Sequence, residues 1–133
     1  GLSPDERTVY VAETETGRLY SYEITGPGTI VPPDPFEPGG PVLAQVEGFK
    51  RYDSLAVEAC GNICCAGLTP GCITVISPEG REVETVEMPD PFSTNIAFGG
   101  PDMKTAFITL SSSGRLIAMD WPRPGLKPNF SGL

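Results

Sequence analysis

Tyr52-Asp53-Ser54-Leu55-Ala56-Val57-Glu58-Ala59, Cys60-Gly61-Asn62, Ile63-Cys64-Cys65-Ala66, Cys72-Ile73-Thr74-Val75-Ile76, Ser77-Pro78-Glu79-Gly80 and Val83-Glu84-Thr85-Val86 succeed one another in the middle of the chain. The apolar and β-branched runs are short and the segments between them are turn-formers, so the stretch predicts four strands in antiparallel succession. Cys64 and Cys65 are neighbours in an apolar strand, where consecutive side chains point to opposite faces. Both faces of this strand must therefore be covered.

The same order of elements recurs on either side. Upstream, Thr8-Val9-Tyr10-Val11-Ala12 and the alternating Arg18-Leu19-Tyr20-Ser21-Tyr22-Glu23-Ile24 read as strands around the turn Thr14-Glu15-Thr16-Gly17. Residues 25–41, rich in Gly, Pro and acidic residues, read as a long loop, and Val42-Leu43-Ala44-Gln45-Val46 as a further strand. Downstream, strands are expected at Asn95-Ile96-Ala97-Phe98, Thr105-Ala106-Phe107-Ile108-Thr109-Leu110 and Gly114-Arg115-Leu116-Ile117-Ala118-Met119. Ser3-Pro4-Asp5 leading to Tyr10-Val11 resembles Gly100-Pro101-Asp102 leading to Phe107-Ile108, and Gly17-Arg18-Leu19 resembles Gly114-Arg115-Leu116. Leu55 and Ile96, equivalent positions in consecutive rounds, are 41 residues apart. Four short strands per repeat of that length is the pattern of β-propeller blades.

The expected fold is therefore all-β, with about three blades of four-stranded antiparallel sheet spanning approximately residues 1–51, 52–91 and 92–133. The first lacks its opening strand and the third its last. A blade needs a neighbour on each face, and an open stack of three leaves two faces uncovered. The chain is thus expected to belong to a longer propeller or to form a homo-oligomer with a second copy, two of which give about six blades.

Composition narrows the chemistry. The 133 residues carry a formal net charge of −8, which excludes the basic stripe a nucleic-acid partner requires. No apolar run reaches the roughly 20 residues of a membrane span. The beginning, Gly1-Leu2-Ser3-Pro4-Asp5, has neither the basic nor the apolar region of a signal peptide. With no histidine in the sequence, imidazole acid–base catalysis, His-ligated zinc and Ser-His-Asp or Cys-His nucleophiles are excluded from within the chain. Chemistry is left to carboxylates, amides, hydroxyls, thiols or a metal bound by oxygen. The spacing of Cys60, Cys64, Cys65 and Cys72 is not that of a zinc knuckle. Cys60 and Cys72 fall at opposite ends of the intervening strand, too far apart to bridge, so buried free thiols and a reducing, cytoplasmic setting are expected.

Tyr52-Asp53-Ser54-Leu55-Ala56-Val57-Glu58-Ala59 with Gly61-Asn62-Ile63, Gly71 to Gly80, and Thr94-Asn95-Ile96-Ala97-Phe98-Gly99-Gly100-Pro101-Asp102 together resemble, in order and spacing, stretches of the SMP-30/gluconolactonase/LRE-like family. Leu2-Ser3-Pro4-Asp5 with Tyr10 to Thr14 is similar to an earlier blade, and Gly125 to Phe130 to a family C-terminus. The resemblance covers almost the whole chain and implies the C-terminal half of a six-bladed propeller.

It further implies hydrolysis of sugar lactones such as gluconolactone, with one divalent metal ion (Ca²⁺, Zn²⁺, Mg²⁺ or Mn²⁺) at the mouth of the central tunnel. Of the family's ligands, Asp53 matches the Asp of a "PDG" turn, while the family's Asn and Glu would fall before Gly1. Tyr52 and Ser54 stand where Pro and Gly are usual. Oxygen-ligated metal suits the composition: such an ion polarises a lactone carbonyl and acidifies a bound water, while an adjacent carboxylate serves as ligand and proton acceptor. Asp53 is thus the expected metal ligand and catalytic carboxylate, against the bland reading of a turn or cap residue. Asn95 is either a tunnel-lining, substrate-binding amide or one satisfied at a strand end, the commoner arrangement. Glu13, Asp5, Asp102 and Trp121 read as structural, and the acidic loop Asp34 to Glu37 as a solvated connection. The alternatives to a lactonase are a non-catalytic propeller binding module, since fold does not fix function, and an inactive truncated fragment.

Overall fold

The computed structural model describes residues 1–36 and 39–130, and every regular element in it is a β-strand. No helix is long and apolar enough to cross a membrane. The order is β1 (Thr8–Glu13), β2 (Arg18–Gly26), β3 (Thr29–Ile30), β4 (Val42–Ala44), β5 (Arg51–Val57), β6 (Ile63–Thr69), β7 (Gly71–Ile76), β8 (Glu82–Glu87), β9 (Ser93–Gly99), β10 (Thr105–Leu110) and β11 (Arg115–Asp120). They form three antiparallel sheets: β1-β2-β3 with β4 also on β2, the complete meander β5-β6-β7-β8, and β9-β10-β11.

The sequence pattern anticipates these elements, with instructive departures. The segment expected to be a loop from residue 25 contains a tight return, because β2 runs on to Gly26 and pairs back with β3 across Gly28 at φ 72°. The four-stranded first round is therefore assembled from two short outer pieces, β3 and β4, laid against different parts of β2. Its opening strand is represented by Gly1 and Leu2. Gly1 exchanges backbone hydrogen bonds with Tyr10 (2.7 and 2.9 Å), and Leu2 bridges Val9. Of the acidic loop Asp34 to Glu37, Glu37 lies outside the described residues.

In each sheet the innermost segment joins the next strand through the same turn. The fourth residue donates its backbone N–H to the first residue's carbonyl: Glu6 to Ser3 and Gly61 to Glu58 at 2.9 Å, Met103 to Gly100 at 3.2 Å. The fourth residue is left-handed each time, with φ of 58°, 98° and 59°. In the first and third turns Asp5 and Asp102 use a carboxylate oxygen to accept from the N–H two residues on, at Arg7 (3.1 Å) and Lys104 (3.0 Å). That is the local bond for which Asp is selected in turns. Cys60 holds the corresponding place in the second turn and, contrary to the expectation of four buried thiols, is exposed.

Two separate cores lie between the three sheets. Tyr10, Leu19, Ala44, Tyr52, Val57, Ile63, Cys65 and Ile76 fill the space between the first and second sheets. Cys64, Ala66, Ile73, Val75, Ile96, Ala106, Ile108, Leu110 and Trp121 fill that between the second and third. Cys64 and Cys65 belong to different cores, as strand alternation requires. The second sheet is thus a wedge apolar on both faces. All four cysteines are free. Burial pushes the Cys65 thiol up to about 12 and the Cys64 thiol higher still, Glu58 adding to the effect on Cys64.

Candidate functional site

β5 and β9 are the innermost strands of the second and third sheets and lie side by side. Their entries carry the two candidate residues. Asp53 is the third residue of β5 and Asn95 the third of β9, and both are exposed while their strand neighbours Tyr52 and Ile96 are buried. Both inner strands begin at the same end of the assembly, so Asp53 and Asn95 lie toward that end. The ladder between β5 and β6 is irregular between Tyr52 and Leu55. This irregularity re-aims the Asp53 segment, a common device beside functional sites.

The Asp53 carboxylate makes no hydrogen bond or ion pair among the described residues. Asn95 accepts from the backbone N–H of Ile96 through Oδ1 (2.9 Å), which leaves its Nδ2 without a partner among the described residues. Two buried hydroxyls lie close by in sequence. Ser93 Oγ, in a residue fully shielded from solvent, has no hydrogen-bond partner among the described residues, while the equally buried Tyr52 phenol faces Thr74 on β7. Burial is the chief cause of a raised Tyr52 phenol pKa. Buried polar groups without partners are rare and call for explanation, and Ser93 stands at the start of β9. No three His, Cys, Asp or Glu side chains converge to hold a metal among the described residues.

Other acidic residues serve turns and strand ends. Glu13 accepts from Thr16 Oγ1 and Tyr20 Oη (2.9 Å), bonds that hold its carboxyl below the usual value. Asp90 caps the entry to β9, accepting from Phe92 N (2.9 Å), Ser113 N (2.8 Å) and Ser113 Oγ (2.5 Å).

Sequence reasoning passed over Glu58. It lies at the far end of β5, five residues from Asp53, which at strand rise is roughly 17 Å. Its side chain is wholly buried. Trp121 Nε1 (2.7 Å) donates to Oε1, and Arg123 Nε (2.6 Å) and Asn62 Nδ2 (2.9 Å) to Oε2; the thiols of Cys60 and Cys64 also face the carboxylate. Burial by itself would raise this carboxyl. The donors, Arg123 foremost and then Trp121, Asn62 and Cys60, outweigh that effect and hold it below its ordinary value. Arg123 also reaches Glu84 on β8. The available signal was an acidic residue closing an otherwise apolar strand, Leu55-Ala56-Val57-Glu58, where a charge must find partners.

Comparison with known proteins gives this geometry its context. The chain is 30% identical over 130 residues to a 6-deoxy-6-sulfogluconolactonase of Pseudomonas putida, covering 93% of this chain and 42% of the relative. It is 29% identical over 115 residues to a pentonolactonase of Haloferax volcanii, covering 82% and 36% respectively. It therefore spans about two fifths of the length of these curated relatives. The crystal structure of a calcium-binding protein, regucalcin, from Agrobacterium tumefaciens superimposes with a TM-score of 0.68 over 96% of this chain and 48% of that one, at 20% identity, a likeness of fold. Residues 1–112 match the SMP-30/Gluconolactonase/LRE-like region. With its three antiparallel sheets stacked as part of a β-propeller, the chain belongs to the SMP-30/gluconolactonase/LRE-like family.

Proposed function

We propose that this chain works as part of a closed propeller that hydrolyses sugar lactones, with Asp53 as a metal ligand and proton acceptor and Asn95 as a substrate-binding amide. The observation that carries the reading is that Asp53 and Asn95 both lie exposed near the entry of adjacent inner strands. The lactonase activity of its relatives supports the substrate class.

A divalent cation asks for hard oxygen ligands that no other group engages. An exposed carboxylate with no competing partner among the described residues suits such an ion, and the unpartnered Ser93 hydroxyl makes the entry of β9 polar. One carboxylate fills only a corner of an oxygen-ligated site, so the remaining donors come from blades that complete the ring. When bound, the metal supplies Lewis acidity toward a lactone carbonyl. Asp53 holds its position at the mouth of the channel and can take up a proton. Asn95 Nδ2 can donate to a ring or hydroxyl oxygen of the sugar while Oδ1 stays anchored on Ile96.

The test is turnover of gluconolactone by the complete propeller with Ca²⁺, Mg²⁺, Mn²⁺ or Zn²⁺ added to metal-stripped protein. Asp53→Ala is expected to reduce metal-dependent hydrolysis by roughly 100-fold or more. Hydrolysis unchanged by Asp53→Ala overturns the assignment. The 133-residue chain alone is expected to turn over little and to self-associate, because two sheet faces lack a neighbour. Near-full turnover by a monodisperse monomer overturns the need for further blades. The alternative is a propeller face that binds without catalysis, since fold does not fix function. Partner capture without metal-dependent turnover in the complete protein would select it.

A further inference from the structure

The segment after β11 does not follow the edge of the third sheet. It turns under the stack and bonds to the turn before β10 and to the end of β5. Gly125 donates its backbone N–H to Met103 O (2.9 Å), at the turn leading into β10. Ala59 donates to Pro124 O (2.9 Å) and Leu126 to Val57 O (2.8 Å), so that Gly125 bridges Glu58 at the end of β5. Gly125 lies so close to Phe98 that a Cβ there would approach that ring to 2.2 Å. Farther on, Asn129 Nδ2 donates to Glu6 in the first turn. The segment therefore touches the same end of all three sheets, the end opposite Asp53.

Above it lies a cavity of about 390 Å³ bounded by the inner strands, with Leu2, Val57, Ile96 and Phe98 on its walls and Leu126 and Pro128 of the crossing segment beneath. Two side chains fix the segment before it crosses. Trp121, 2% exposed, packs on Phe98 (ring centroids 5.9 Å) and donates to Glu58. Arg123 holds Glu58 from the other side and reaches Glu84. A buried carboxylate that binds two side chains of one segment is a latch.

We infer that Trp121–Asn129 is a strap, latched on Glu58, that floors the channel between the inner strands and leaves the Asp53 end as its mouth. The arrangement stands whether or not the channel holds a metal, and its test involves no lactone. Trp121 is the sole tryptophan, so its emission and its quenching by acrylamide report the strap directly, and binding of an apolar dye reports the cavity. Glu58→Gln and Arg123→Met are expected to red-shift Trp121 emission and increase quenching while the far-UV spectrum keeps its β signature. Deleting residues 125–133 is expected to raise dye binding several-fold with Trp121 still shielded. Should the deletion unfold the sheets, Leu126→Ser keeps the backbone bond to Val57 and replaces it. Unchanged emission and quenching in both latch variants overturns the latch. Unchanged dye binding in a folded floor variant overturns the floor.

Discussion

If the second sheet is a wedge between two independent cores, it should respond to damage on either face equally and separately. Ile63 and Ile73 are both 0% exposed, the first packed with Tyr10 and Leu19, the second with Ile96 and Ile108. Replacing either by Ala removes three carbon groups, worth about 2.4 kcal/mol at roughly 0.8 kcal/mol each. The partly relaxed cavity adds about 1 kcal/mol. Each variant should therefore lose about 3.4 kcal/mol. Because the two side chains share no core, the double variant should lose the sum, about 7 kcal/mol. That is a large part of the 5–15 kcal/mol typical of a folded domain, so the double variant should sit close to unfolding. Urea denaturation followed by far-UV dichroism, with the slope held common, measures these differences. A loss below about 1 kcal/mol for either single variant, or a coupling above about 1 kcal/mol between them, would refute the two-core wedge.

Other outcomes follow from the same structure. Glu58 has a folded pKa below its unfolded one, so its contribution is complete above the ordinary carboxylate range and is lost as pH falls through the lower folded value. Thermal midpoints measured between roughly pH 5 and pH 3 should fall more steeply for wild type than for Glu58→Gln; parallel curves would count against the latch being ionised. Gly80 has φ 80°, and a Cβ there would stand 2.1 Å from the Leu43 carbonyl oxygen. Gly80→Ala should cost about 2 kcal/mol or more, read by the same urea titration, and a neutral result would show that the contact between the first and second sheets yields easily. Of the four thiols, only Cys60 is exposed. One equivalent should react rapidly with an aromatic disulfide reagent in the native protein and four after denaturation; fast native reaction of two or more would place Cys64, Cys65 or Cys72 nearer solvent than the cores allow.

The strands were legible because each is short, β-branched or aromatic, and fenced by Gly, Pro or Asp. The two-faced nature of β6 could be read from Cys64-Cys65 alone. The β2–β3 return was hidden because Pro27-Gly28 resembles the loop around it, and the two-residue β3 leaves no alternation to detect. Asp53 and Asn95 were singled out by the resemblance of their segments to family motifs, and the strand pattern puts both near strand entries. Glu58 could not be, since its partners Trp121 and Arg123 lie 63 and 65 residues away, and only the fold brings them together. The exposure of Cys60 was missed for a related reason. It occupies the slot that Asp5 and Asp102 fill in the sister turns, and that equivalence emerges only once the three turns are superimposed.

The adjacency of Cys64 and Cys65 has an evolutionary consequence. A change of residue type at either site disturbs one interface and spares the other, so such changes can accumulate singly. An insertion or deletion of one residue in β6 would send every following side chain to the opposite side and exchange the contents of both interfaces at once. Length variation among descendants of this chain should therefore gather in the Pro-rich connection between β3 and β4, while the centre of the second sheet drifts in composition but never in count.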